Sequence, residues 1–142
     1  MPVAVVQSRA LRGLDAPAVS VEVHLANGLP AFNIVGLPDT EVREARDRVR
    51  AALQNAQFDF PARRVTVSLA PADLPKSSGR FDLPIALGVL AATAQIPSNT
   101  LGEYEFAGEL ALDGALRAVR GALAMVVSAR RDARAFVLPA AS

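Results

Sequence analysis

The sequence predicts an α+β domain, a mixed β-sheet packed with about three helices. Runs that alternate apolar with polar residues are interspersed with runs whose apolar residues recur at helical spacing, in the order βββαβαββαβ. One of the helical runs, residues 82–95, is apolar nearly all round, as a helix inside a core must be. The chain has 142 residues, 51% of them hydrophobic and 20% charged, which suits one globular domain over 1–142 and argues against disorder.

Val3 to Leu11 is rich in β-formers. Val19 to Leu25 alternates strictly, the mark of a half-buried strand. Asn27-Gly28 is a hairpin signal, and Ala31 to Val35 follows as the next strand, so the first three strands read as an antiparallel meander. From Thr40 to Ala56 the period changes: Val42, Ala45, Val49, Ala52, Leu53 and Ala56 share one helical face. Asp39 or Thr40 is the expected N-cap. Arg63 to Leu69 alternates again. A polar loop, Pro71 to Gly79, leads to the buried helix at 82–95. Pro84 is tolerated there because first-turn N–H groups have no intrahelical partner. Tyr104 to Leu110 and Ala115 to Arg117 read as two strands turning at Asp113-Gly114. Arg120 to Arg131 is a third helix and Ala135 to Leu138 a last strand.

Composition excludes several chemistries. The chain has no cysteine and one histidine, His24. A disulfide scaffold, a thiolate zinc site and a cysteine nucleophile are ruled out, and a Ser-His-Asp triad is disfavoured. Formal net charge is +1, unlike a strongly basic nucleic-acid module. No signal peptide and no apolar span of about 20 residues is present, so a cytoplasmic location without membrane contact is expected.

The remaining chemistry lies in the polar loop and on strand ends. No P-loop and no Gly-x-Gly-x-x-Gly occurs. Ser77-Ser78-Gly79-Arg80 before a helix could hold an anion, although a helix-capping loop is the favoured reading. Lys76 beside Ser77 and Ser78 raises a Ser-Lys nucleophile, which needs a desolvated lysine; a Pro/Ser/Gly loop is expected to keep Lys76 solvated. Glu103, Glu105 and Glu109 alternate and, with Asp113, read as a solvated strand face. Arg43, Arg46 and Arg50 form a helical stripe that could meet phosphates, diluted by Glu44 and Asp47. His24 reads as an ordinary strand residue.

Longer motifs carry a family resemblance. Val6-Gln7-Ser8-Arg9-Ala10-Leu11, Phe32 to Asp39, Val65 to Lys76, Gly79 to Ala86, Phe106 to Leu110 and Leu112-Asp113-Gly114 resemble the N-terminal domain of the ComM/YifB family of Mg-chelatase-like AAA+ ATPases. The resemblance runs in order through essentially the whole chain. It implies a Lon-protease-like fold, that of the second domain of ribosomal protein S5, placed ahead of a P-loop AAA+ module. It also implies a hexameric parent that processes DNA and drives branch migration during natural transformation. ATP and magnesium would belong to the AAA+ module, whose motifs are missing here, so the chain is expected to be part of a longer protein with no cofactor of its own.

In Lon-type domains a serine opens the buried helix and a lysine comes from the following helix. Aligned on Gly79, Asp82 falls at the serine position, and Arg120 to Met125 supplies no lysine. The resemblance therefore implies a pseudoprotease with no catalytic residues. Asp82 would cap the buried helix, with Arg80 as its pairing partner. Lys76, Arg80, Arg43, Arg46 and Arg50 remain candidates for contact with DNA, with the AAA+ module or with neighbouring subunits. A Lon-type Ser-Lys peptidase and a stand-alone nucleic-acid-binding module are the alternatives.

Overall fold

The computed structural model describes residues 3–74, 76 and 79–142. Strands β1 (Val3–Arg9), β2 (Ala18–Ala26), β3 (Ala31–Val35), β4 (Arg64–Ala70), β5 (Tyr104–Phe106) and β8 (Ala135–Val137) form one mixed sheet in the order β3-β4-β2-β1-β5-β8. A separate two-stranded ribbon pairs β6 (Glu109–Leu110) with β7 (Leu116–Arg117). The helices are α1 (Asp39–Asn55), α2 (Asp82–Ala92) and α3 (Ala122–Arg131). Short 3-10 turns, Gly79–Phe81 and Leu101–Glu103, precede α2 and β5. No described helix is long and apolar enough to cross a membrane.

Alternation sets which side of each strand is buried. Val19, Val21, Val23 and Leu25 of β2 are fully buried, as are Val65 and Val67 of β4. Ile85, Ala86, Val89 and Leu90 of α2 pack on that face, with Leu83 and Leu87 half-buried at its margin. Gly88 lets α2 approach closely: a Cβ there would lie 2.5 Å from Val23 Cγ2.

Only the first half of the expected meander forms: β1 and β2 pair antiparallel, but β2 and β3 do not pair. β4 inserts between β2 and β3, antiparallel to β2 and parallel to β3, with Val23 opposite Val67 and Phe32 opposite Val65. Two local features oppose a β2–β3 hairpin. A two-residue type I′ turn at Asn27-Gly28 needs positive φ at both residues, and although Gly28 has φ 137°, Asn27 does not have positive φ. Pro30 has no N–H with which to restart a ladder. Helix α1 then serves as the crossover of a parallel β3–α1–β4 unit.

The run at 104–110 is split as well. After Phe106 the backbone of Gly108 turns to the start of α2, donating to Arg80 O (2.9 Å) and accepting from Leu83 N (3.0 Å). Its two halves therefore join different sheets. Pro38, not Asp39 or Thr40, occupies the N-cap of α1 and gives no side-chain cap. Helix α2 stops at Ala92, three residues early. Ala94 turns left-handed, and Gln95 N–H closes on Leu90 O at 2.9 Å. Gly121, at φ 79°, delays the start of α3 to Ala122.

Candidate functional site

The residues just before α2 and the start of α3 meet through Arg80. Asp82 is the first residue of α2, with Phe81 at the N-cap position. Its side chain is only 1% exposed. One carboxylate oxygen accepts from Arg48 Nε at 2.6 Å and from the Leu110 amide at 3.1 Å; the other accepts from Arg48 Nη2 at 3.2 Å. Asp82 therefore joins α1, α2 and β6. It does not pair with Arg80, contrary to expectation. Burial pushes the Asp82 carboxyl up to about 6, while Arg48 and the Leu110 amide pull it down and Glu109 adds to the rise. Burial acts to lower the Arg48 guanidinium, but its bonds to Asp82 outweigh this and raise it.

Arg80 turns toward α3 instead. It is 5% exposed, and its Nη1 donates to Arg120 O at 2.9 Å and to Met125 Sδ at 3.5 Å. Burial, then the nearby Arg120 charge, hold its pKa below the ordinary arginine value. Lys76 is not solvated: it is 3% exposed and donates to Leu74 O at 3.3 Å. Burial lowers its pKa against the pull of Asp73. Ser77 and Ser78 lie outside the described residues, and so does the geometry of a Ser-Lys pair.

The arginine stripe on α1 does not behave as one surface. Arg43 is exposed. Arg46 is half-buried and donates to Phe32 O at 3.4 Å. The Arg50 guanidinium stacks over Phe60 and Phe32, 5.1 and 5.7 Å from the ring centroids. Arg48, outside the stripe, is the α1 arginine that reaches a buried carboxylate.

The largest departure concerns Glu105. It is fully buried, whereas a solvated strand face was expected. Arg9 reaches it through Nε at 2.7 Å and Nη2 at 2.9 Å, and Arg134 Nη1 lies at 3.2 Å. Arg9 also bonds to Asp132 and to Ala16 O. These contacts raise the Arg9 pKa against the lowering effect of burial, and Arg9 holds Asp132 below the usual carboxylate range. Placing β5 between β1 and β8 makes Glu105 internal, a fact that strand order supplies and local pattern does not. The other carboxylates do not gather with it. Glu103 is exposed, Glu109 meets Arg117 at 3.3 Å, and Asp113 accepts from the Ala115 amide in its turn at 3.0 Å. His24 is half-buried in β2 between Val3 and Thr66.

Away from these charges, α1 and α2 bound an apolar groove of about 230 Å³ that includes Leu53, Phe58, Leu87, Leu90 and Ile96. Among the described residues no three His, Asp or Glu side chains gather as metal ligands.

The domain is thus an α+β fold, a mixed sheet covered by a helix that is apolar except for its first residue, Asp82, which is buried against Arg48. Residues 21–142 match the family described as subunit ChlI of Mg-chelatase, and the chain belongs to that family. Within it the chain is of the ComM/YifB kind. It is 54% identical to competence protein ComM of Haemophilus influenzae and 51% identical to YifB of Escherichia coli, each over 138 residues. A relative from Mycobacterium tuberculosis is 45% identical over 134 residues. The alignments cover 97%, 97% and 94% of this chain, but 27% of each relative. The chain thus spans about a quarter of the length of the curated relatives it matches.

Proposed function

We propose that the chain acts as a non-catalytic accessory domain of a Mg-chelatase-like AAA+ ATPase of the ComM/YifB kind. In this reading it precedes the AAA+ module, which binds ATP and magnesium. It contacts that module and neighbouring subunits of a hexamer, and it assists DNA processing and branch migration during natural transformation. The observation that carries the reading is the similarity to the Haemophilus competence protein along 97% of the chain. The start of α2 supports the non-catalytic part. Where a Lon-like domain would present its serine, Asp82 is committed to Arg48 and the Leu110 amide.

The test removes the equivalent segment from the Haemophilus relative. Retained basal ATP hydrolysis with weakened assembly or weakened DNA stimulation is the expected result. Unchanged assembly together with unchanged DNA-stimulated hydrolysis would refute the proposal.

One observation favours a second reading, a Lon-type Ser-Lys peptidase. Lys76 is buried and its pKa is lowered, the condition a lysine base requires. Casein or peptide cleavage by the chain, abolished by Ser77→Ala/Ser78→Ala, would establish that reading. Turnover unchanged by the double substitution would reject it.

A further inference from the structure

One side of the domain exposes an apolar ridge. Leu14 is 97% exposed and Leu123 79% exposed, and Val127 lies beside them. Leu14 sits at the tip of a two-residue turn whose flanks, Arg12 and Asp15, exchange both backbone hydrogen bonds at 2.9 and 3.0 Å. Leu11 packs onto Gly121, where a Cβ would not fit, so the turn is seated on the start of α3. Leu123, Val127, Arg130 and Arg131 recur at helical spacing along one face of α3. Among the described residues Arg12, Arg130 and Arg131 meet no carboxylate. Asp15 borders the ridge, which therefore carries a surplus of positive charge.

The groove between α1 and α2 is the converse. A cavity of roughly 150 Å³ takes up a benzene-sized group, so its volume of about 230 Å³ admits a leucine side chain. Both helices end beside it: Ala56, the C-cap of α1, and Leu90, near the end of α2, line its wall. Neither last turn carries a basic residue, so two negative dipole ends stand there. Asp59 and Asp113, both exposed, adjoin the lining residues Phe58 and Gly114. Neither aspartate is in an ion pair, whereas Arg48 and Arg117 are already engaged by Asp82 and Glu109.

A chain cannot fill its own groove. Val6 and Val23 face α2 at Gly88. Gln7, next in β1, points to the other side of the sheet, where its register partner Glu105 and that residue's partner Phe136 also stand. Phe136 packs against the cluster that holds Met125 of α3. Ridge and groove thus lie on opposite faces of the sheet.

We propose that the Leu14–Leu123 ridge of one copy docks into the α1–α2 groove of a second copy of this chain. Apolar side chains fill the groove, and the arginine rim meets the acidic rim, a complementarity that fixes partner and orientation. The contact joins two different surfaces, so each copy keeps one of each free. Such contacts propagate head to tail and close into a ring when the rotation permits. The proposal deepens the subunit contact of the reading above and rests on that reading for its setting.

The chain has no cysteine, so introduced thiols report this contact alone. Leu14→Cys and Ala56→Cys both change exposed positions. Mixed with a mild oxidant, the two variants should form a covalent dimer about tenfold faster than either forms one with itself. Leu14→Asp should weaken self-association in sedimentation velocity about tenfold or more. Leu29→Asp, at another exposed leucine in the β2–β3 connection, should leave it unchanged. Arg130→Glu/Arg131→Glu should also weaken association, and mixing that variant with Asp59→Arg/Asp113→Arg should restore it. Leu14→Cys pairing with itself as fast as with Ala56→Cys indicates a symmetric contact and overturns the proposal. Absence of association up to about 1 mM overturns it too; if that monomer binds vesicles of anionic lipid and Leu14→Asp abolishes the binding, the ridge faces a membrane instead. These measurements involve neither ATP nor DNA, so their failure is separate from failure of the deletion test in the Haemophilus relative.

Discussion

Removing the Glu105 carboxylate leaves the buried Arg9 charge with only the largely exposed Asp132 as its counter-charge. Glu105 is fully buried, and Arg9, 4% exposed, depends on it for two of its four side-chain hydrogen bonds. After Glu105→Ala, Arg9 keeps only the Ala16 carbonyl and Asp132, whose side chain is 54% exposed. Breaking a buried pair from one side costs about 3–5 kcal/mol. For a chain of this size each kcal/mol moves the melting temperature by about 3–5 °C, so a fall of about 10–20 °C is expected. Circular-dichroism melts at pH 7, repeated at high salt, measure it; a buried pair should lose little of its effect when salt is added.

The same network predicts rescue. Arg9→Met/Glu105→Leu removes both charges and fills the space with apolar atoms. It should lie within about 2 kcal/mol of the wild type, because replacing a buried pair by packed hydrophobes is commonly near neutral. If the double variant loses as much as the two single losses added together, packing and not charge pairing explains the site, and the reasoning fails.

The Asp82 carboxyl titrates at about 6 in the folded chain against 3.8 for an unperturbed aspartate. The native state therefore holds this proton more tightly, and the associated stability is full below 3.8 and lost as pH rises through 6. Measured against Asp82→Asn, wild-type stability should fall by up to about 3 kcal/mol from pH 3.5 to 7; parallel pH curves would contradict this. Gly88→Ala places a Cβ 2.5 Å from Val23 Cγ2. Overpacking of about 1–3 kcal/mol should outweigh the helix-propensity gain, and an unchanged or raised melting temperature would refute the close approach. Arg50→Ala should cost about 0.5–1 kcal/mol through its lost stacking on Phe32 and Phe60, while Arg43→Ala stays within about 0.5 kcal/mol in the same urea titrations. Equal effects from the two would remove the stacking interpretation.

Period and composition made the elements legible but not all their partners. Val19 to Leu25 and Arg63 to Leu69 announced themselves as strands because alternation is a property of a strand and one buried face. That they lie side by side, with β3 displaced to the edge, depends on the crossover through α1, which no local pattern records. The apolar character of 82–95 was enough to place α2 in the core. Asp82 was legible as the residue opening that helix, but its partner Arg48 lies 34 residues away, among arginines of identical appearance. Glu105 was misread because a three-residue strand has too little alternation to reveal burial on both sides. Lys76 was misread because Pro, Ser and Gly signal a loop without saying whether that loop folds inward.

The insertion of β4 between β2 and β3 also orders the assembly of the sheet in time. During synthesis β1 and β2 can pair as soon as both have emerged, since they are joined by a short connection and share a seven-residue register. The other side of β2 must wait until residues 64–70 exist, 38 residues after β2 ends. Until then Val21, Val23 and Leu25 flank an open ladder, the kind of edge that recruits strands from other chains. A ribosome stall, or a truncation before Arg64, should therefore yield an aggregation-prone species, whereas a chain extended through Ala70 closes that edge with its own strand.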